Sequence, residues 1–333
     1  MMHKKILAGL AIAGTLVAAP FAAASSLTLY SGRGEAMVQP IIDQFEKQSG
    51  IKVNVRYGDT AQLAVLVQEE GARSPADLYW GQDAGAMGAL SNQDMLQELP
   101  AEIYEGLPAV YTSQKGNWVA LSGRSRVIAY STSRVSEDEI PSSIFDLTQE
   151  RYKGRVAIPP TNGGFQAFVT GMRVQHGDDV TLQWLKDMKA NDPVYFRNNT
   201  TAVAGIADGD VDFALVNNYY LPRFVAADSE FPVKQTYFEA GDIGNLINVA
   251  GIAVLKSSKN QEAAQEFVKF MLSPAAQQYF TSVVNEYPVV SGIIQNPVLG
   301  DLDDLLEIAP EIDLDQLADL EGTLKLLRDA ELL

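Results

Sequence analysis

Apolar and polar residues alternate over residues 27–30 and again over 51–57, and between them the period changes. Val38, Ile41, Ile42 and Phe45 fall at helical spacing, so the pattern predicts strand, helix, strand. Ser49-Gly50 stops that helix and Gly58-Asp59-Thr60 makes the next turn. A second helix is predicted over 61–70 and a third strand over 76–80. Strands alternating with helices predict βαβ units and a mostly parallel sheet. Beyond Trp118 the rhythm differs: residues 119–121 and 127–130 read as two extended segments joined through Ser122-Gly123-Arg124-Ser125-Arg126. A second α/β set follows, with strands at 154–158 and 213–216 and helices at 166–175 and 181–190. A strand at 247–255 and an amphipathic helix at 260–272 come next. Leu302, Leu305, Leu306, Leu317 and Leu320 predict short helices in an Asp- and Leu-rich tail. There is no fixed-period repeat and no low-complexity segment.

The first residues change the setting. Lys4 and Lys5, an apolar stretch over 6–17 and Ala22-Ala23-Ala24 read as a secretory signal peptide, residues 1–24, with cleavage expected after Ala24. The apolar run is too short for a membrane anchor. Cleavage leaves about 309 residues, enough for two domains. The chain has no cysteine. Neither a lipid attachment nor a disulfide is available, and a soluble periplasmic monomer stabilised by its core is expected. The net charge of −17 becomes more negative with the leader gone, which argues against nucleic acid and anionic membranes as partners.

Secretion, two α/β sets and a strand-like crossover together predict a two-lobed periplasmic binding protein. Each lobe is expected to be a mostly parallel sheet flanked by helices, joined by a strand-type hinge. The expected N-terminal lobe is 25–123 plus about 250–300, and the C-terminal lobe 124–249 plus about 301–333. Ligands in such sheets sit beyond the strand C-termini. Three loops there can turn backbone amides onto an anion: Ser31-Gly32-Arg33-Gly34, Pro159 to Phe165, and Arg197-Asn198-Asn199-Thr200-Thr201. Each also reads as a plain helix cap. Arg33 can add a bidentate anion contact, as can Arg124; a surface role is the plain alternative. His176 is expected at a helix C-terminus, away from any metal.

Tyr219 and Tyr220 stand side by side in a chain with one histidine beyond its leader. A metal here must be held through oxygen, and phenolate suits a hard trivalent ion such as Fe(III). Core packing is the common alternative for a tyrosine pair. No nucleophile elbow, H-E-x-x-H, Walker loop or G-x-G-x-x-G occurs, so an enzyme is not expected.

Leu29-Tyr30-Ser31-Gly32-Arg33, Gly50-Ile51-Lys52-Val53, Ser74-Pro75-Ala76-Asp77-Leu78, Ser122-Gly123-Arg124-Ser125-Arg126-Val127, Pro160 to Phe165 and Asn217-Asn218-Tyr219-Tyr220 occur in that order. Together they resemble the periplasmic ferric-ion-binding proteins of bacterial ABC iron importers, over nearly the whole mature chain. The resemblance implies Tyr219 and Tyr220 as Fe(III) ligands. It implies Asn162, Gly163 and Gly164 as the loop holding a synergistic anion, supported by Asn199 and Asn217. Where some members carry a histidine and a glutamate, this chain has Gly34 and Gln82. Where others carry a third tyrosine, it has Gly164-Phe165. Carbonate, phosphate or citrate, water, or Tyr30, Tyr57, Gln82 or Asp83 at strand ends are left to complete the shell; Tyr130 is expected to pack. Ser31, Arg33 and Arg124 join the anion candidates. The implied partners are an inner-membrane permease and its ATPase. A binding protein for a phosphonate, polyamine or similar ligand is the alternative, and a hydrolase or transferase a more distant one.

Overall fold

The computed structural model describes residues 26–333; the leader and its cleavage site lie outside the described residues. The strands are β1 (Ser26–Ser31), β2 (Lys52–Tyr57), β3 (Leu78–Gly81), β4 (Val119–Ser131), β5 (Val156–Ile158), β6 (Val194–Tyr195), β7 (Phe213–Asn217), β8 (Val233–Thr236) and β9 (Ile247–Val254). The helices are α1 (Glu35–Ser49), α2 (Thr60–Glu70), α3 (Ala84–Asn92), α4 (Gly163–His176), α5 (Asp178–Ala190), α6 (Asn199–Asp208), α7 (Leu221–Ala227), α8 (Gln261–Met271), α9 (Pro274–Tyr279), α10 (Leu302–Ile308) and α11 (Leu320–Asp329).

The sheet runs β2-β1-β3-β9-β4-β7-β5-β6, with β8 also on β4. Its two wings are parallel, as the βαβ rhythm requires. Its centre is antiparallel, because β9 returns between β3 and β4, and β4 runs against β7 and β8. The expected mostly parallel lobes are therefore parts of one mixed sheet.

Residues 119–131, expected as two segments, form a single strand. β4 pairs with β9 as far as Ser125, with a register shift between Ala120 and Ser122, and with β7 from Arg126 onward. The polar run at 122–126 breaks the hydrophobic alternation but not the ladder. Backbone pairing on both sides carries the strand through it.

Two helical layers show why these sequences fold as they do. Val38, Ile41, Ile42 and Phe45 of α1 bury against Leu27 and Leu29 of β1 and Phe267 and Val268 of α8. Full burial of each such side chain stabilises by about 1.5–3 kcal/mol. On the other side Phe165, Phe168 and Val169 of α4 pack with Trp184 and Leu185 of α5 and Phe213 and Leu215 of β7.

The tail divides between these two bodies. Leu302, Leu305, Leu314 and Leu317 join Met87, Leu90 and Trp118, whereas Leu326, Leu327, Ala330 and Leu332 join the α4–α5 layer. Residues 314–318 lie directly on α3 because Gly88 has no side chain; a Cβ there would fall 2.5 Å from the Asp315 carbonyl oxygen. Trp118 Nε1 donates to Asp315 at 2.6 Å. A few residues later Arg173 pairs with Asp319 at 2.9 Å, and the Thr170 and Thr323 hydroxyls bond at 2.7 Å. The expectation that placed 301–333 on the C-terminal lobe alone thus meets a segment that packs on both sides. Among the described residues no helix is long and apolar enough to cross a membrane.

Candidate metal centre

Two of the three strand-to-helix loops expected to meet a ligand, those after β1 and β5, line one cleft between the two bodies, whereas the loop at 197–201 does not reach it. The first follows β1. Gly32 N–H donates to the Trp80 carbonyl at 2.8 Å. A Cβ at Gly32 would fall 2.1 Å from Thr60 Oγ1, so only glycine lets this turn lie against the start of α2. Beside it, Arg33 is 1% exposed and its Nη2 reaches both oxygens of Glu286, itself 0% exposed, at 3.0 Å. The Ser122 hydroxyl donates to the same carboxylate. Arg33 Nε and Nη1 stay buried with no protein partner. Arg124 of β4 is also buried, with Nη1 unpartnered. A guanidinium can only donate, so these atoms await acceptors.

The second loop starts α4. Asn162 caps the helix: its Oδ1 accepts from Gly164 N–H at 3.0 Å and from Asn199 Nδ2 at 3.1 Å. The helix therefore begins at Gly163, earlier than the apolar spacing from 166 predicts; a cap followed by two glycines carries no periodicity. α6 likewise begins at Asn199, behind the cap Asn198. Asn217, at the end of β7, closes this corner, its Nδ2 lying 3.0 Å from where a Gly164 Cβ would be.

The tyrosines follow β7 directly. Asn218 holds this turn to the crossover strand: its N–H donates to the Ser125 carbonyl at 3.0 Å and its Oδ1 accepts from Ser125 N–H at 3.1 Å. The Tyr219 and Tyr220 rings stack at 4.3 Å and 29°. Tyr219 Oη donates to Tyr220 Oη at 3.0 Å. Two phenolic oxygens so close and pointing the same way form a ready bidentate pair for a hard cation. Arg223 lies over both rings, 5.8 and 5.7 Å from their centroids. Burial pushes the Tyr219 phenol well above its usual range; Tyr220 adds to the rise and Arg124 opposes it. Burial also pulls Arg126 down to about 9, with Tyr220 and Tyr219 working against that fall.

Tyr219, Tyr220, Arg124, Asn162, Gly163, Gly164 and Asn217 line one cleft of about 410 Å³, together with Arg33, Tyr57 and Gln82 from the opposite wall. Tyr57 donates to Gln39, and its phenol is pushed up to about 12 by burial and then by Glu35 and Asp43. Three candidates lie elsewhere. Tyr30 is turned away by strand alternation and donates to Glu70 at 3.0 Å. The Ser31 hydroxyl is used inside its own loop, at 3.2 Å from the Arg33 backbone. Asn199 stands behind Asn162 rather than on the cleft. Tyr130 sits along β4 outside the cleft, and His176 stacks edge-on against Phe145.

Two acids of the cleft carry readable signals: Asp59 and Asp83 cap α2 and α3, accepting from Gln62 N–H at 3.1 Å and Ala86 N–H at 3.2 Å. Asp83 was a candidate; Asp59, read only as a turn residue, was not. Glu286 had no signal, since it meets Arg33 across 253 positions of sequence. Among the described residues no group of three or more His, Cys, Asp or Glu could hold a metal ion.

A profile of bacterial extracellular solute-binding proteins matches residues 40–304. The major ferric iron-binding protein of Neisseria meningitidis is 33% identical over 96% of both chains. The Fe(3+)-binding periplasmic protein of Serratia marcescens is 32% identical over 92% of this chain and 90% of its own. Iron-bound HitA from Pseudomonas aeruginosa superposes with a TM-score of 0.84 at 34% identity, covering 92% of this chain and 99% of that one. With its mixed sheet, interlobe cleft and end-to-end similarity, the chain belongs to the bacterial extracellular solute-binding proteins, in the group of the periplasmic ferric-iron-binding proteins.

Proposed function

We propose that this protein captures Fe(III) in the periplasm and delivers it to an inner-membrane permease and ATPase. The stacked tyrosine pair, with its hydroxyls 3.0 Å apart in the interlobe cleft, carries this reading. Deprotonated Tyr219 and Tyr220 bind the metal, and phenolate oxygen is a matched donor for a hard trivalent cation. An exogenous oxyanion fills further coordination positions. The unpartnered Arg33 and Arg124 donors and the corner formed by Asn162, Gly163, Gly164 and Asn217 support it. Tyr57, Gln82, Asp59 and Asp83 face this centre from the other wall and are the protein's own candidates for a remaining position. Carbonate, phosphate and citrate all suit a donor-rich corner; a Trichodesmium relative of 28% identity has been solved in complex with iron and citrate ligands.

The mature chain begins after Ala24 in this reading. Its lobes comprise 25 to about 123 plus 250–318, and about 124–249 plus 320–333, closing on the metal about β4 and the start of β9. Titration with a ferric salt tests the function. A visible tyrosinate-to-iron band is expected, and its absence, with iron affinity unchanged in Tyr219→Phe/Tyr220→Phe, rejects the proposal. The arginines alone would also suit an organic oxyanion. Thermal stabilisation by such a ligand and none by iron would favour that second reading.

A further inference from the structure

Arg126 is buried beside the cleft yet is not among the residues that line the main chamber. The β4–β7 register sets it opposite Asn217. Its Nη1 donates to Asn217 Oδ1 at 3.0 Å, its Nη2 donates to the Leu215 carbonyl at 2.6 Å, and its guanidinium carbon lies 5.5 Å from the Phe168 ring centroid. None of these partners is a carboxylate. A buried charge without an opposite charge is unfavourable, so its retention calls for another explanation.

Geometry supplies one. A guanidinium has donors only, whereas a carboxamide has one donor end and one acceptor end. Facing Arg126, Asn217 must turn its oxygen inward and its NH₂ toward the Gly163-Gly164 loop, where Nδ2 lies 3.0 Å from the Gly164 Cβ position. We infer that Arg126 is a positioning residue for the anion: it locks the Asn217 amide so that the cleft always meets its Nδ2 donor and never its oxygen. A glutamine or a water in the same place could accept as well as donate, and the amide would be free to turn over. The inference rests on the reading that an exogenous oxyanion completes the iron site.

A double-mutant cycle on the intact protein tests it. Wild type, Arg126→Gln, Asn217→Ala and the pair are titrated with a ferric salt at rising inorganic phosphate or bicarbonate, followed by the tyrosinate band. Iron-free protein is titrated with the same anions by calorimetry. Wild type is expected to bind iron more tightly as one of the anions rises. Each single variant is expected to lose about tenfold of that enhancement, and the pair no more than either alone. Arg126→Met keeps an unbranched stem but supplies no donor to Asn217; it is expected to lose the enhancement too, and it serves if the glutamine variant does not fold. Additive losses overturn the inference, as does full enhancement in either Arg126 variant or a wild type indifferent to both anions. Absence of any iron band in wild type rejects the iron reading instead, and the calorimetric cycle still decides the role of Arg126.

Discussion

The two walls of the cleft are built on opposite plans. The wall from α4, β7 and the turn after it concentrates donors and ligands within a few residues of sequence: Asn162 to Gly164, then Asn217 to Tyr220. The wall from β1, β2 and β3 gathers scattered residues with partners in the scaffold: Arg33 pairs with Glu286, Tyr57 donates to Gln39, Asp59 and Asp83 cap helices, and the Gln82 backbone N–H donates to Thr60. A compact wall whose groups serve the ligand should fail in binding when altered. A wall whose groups serve the scaffold should fail first in stability.

The largest break is expected at the tyrosines. Tyr219→Phe or Tyr220→Phe each removes a ligand. Because loss of a mere supporting contact already weakens metal sites by about 10- to 100-fold, the fall in iron affinity should exceed about 100-fold, read by competition with a chelator of known strength. Acidity should act on the same wall. The Tyr219 phenol is raised by burial, so it holds its proton at neutral pH when empty, and iron must displace that proton. Affinity should therefore rise with pH and fall by about tenfold per unit of acidification for each phenolic proton released. A pH-independent affinity would break the assignment of phenolate ligands.

Next in size comes the scaffold wall. Glu286→Gln leaves Arg33 buried and uncompensated and should cost about 3 kcal/mol of stability, seen in urea unfolding. If stability holds and only iron binding falls, the contrast between the walls is wrong. Gly164→Val sharpens the other side: its Cβ would press on Asn217 Nδ2 and Asn162 Oδ1, at 3.0 and 3.1 Å. The expected loss is about tenfold in the anion's contribution to iron affinity, with little change in melting. Smallest is Tyr30→Phe, which removes the hydroxyl bonded to Glu70. About 1 kcal/mol of stability should be lost, and iron affinity should stay within about twofold.

The same contrast decided what could be read from the sequence. The ligand wall was legible because its residues are neighbours, and Asn217-Asn218-Tyr219-Tyr220 announces itself in a chain without cysteine. Helix α1 was legible from four apolar positions. By contrast, α3 consists largely of Ala and Gly and has little apolar contrast to reveal a period. Tyr30 looked available at a strand end, but its pleat turns it to the Glu70 side, and that orientation depends on pairing with β2 and β3. The Arg33–Glu286 pair and the placing of Asp315 under Trp118 depend on contacts across 253 and 197 positions. Only the completed fold brings such residues together.

The divided tail has a consequence for how the molecule comes apart. Residues 314–318 are seated on α3, while α11 is seated on α4 and α5. Neither body can therefore melt without stripping a packed segment or its tether from the other. Together with the continuous strand β4, this ties the two lobes into one cooperative unit. Heat should unfold them in a single calorimetric transition, and a protease that cuts near Asp319 should split that transition in two.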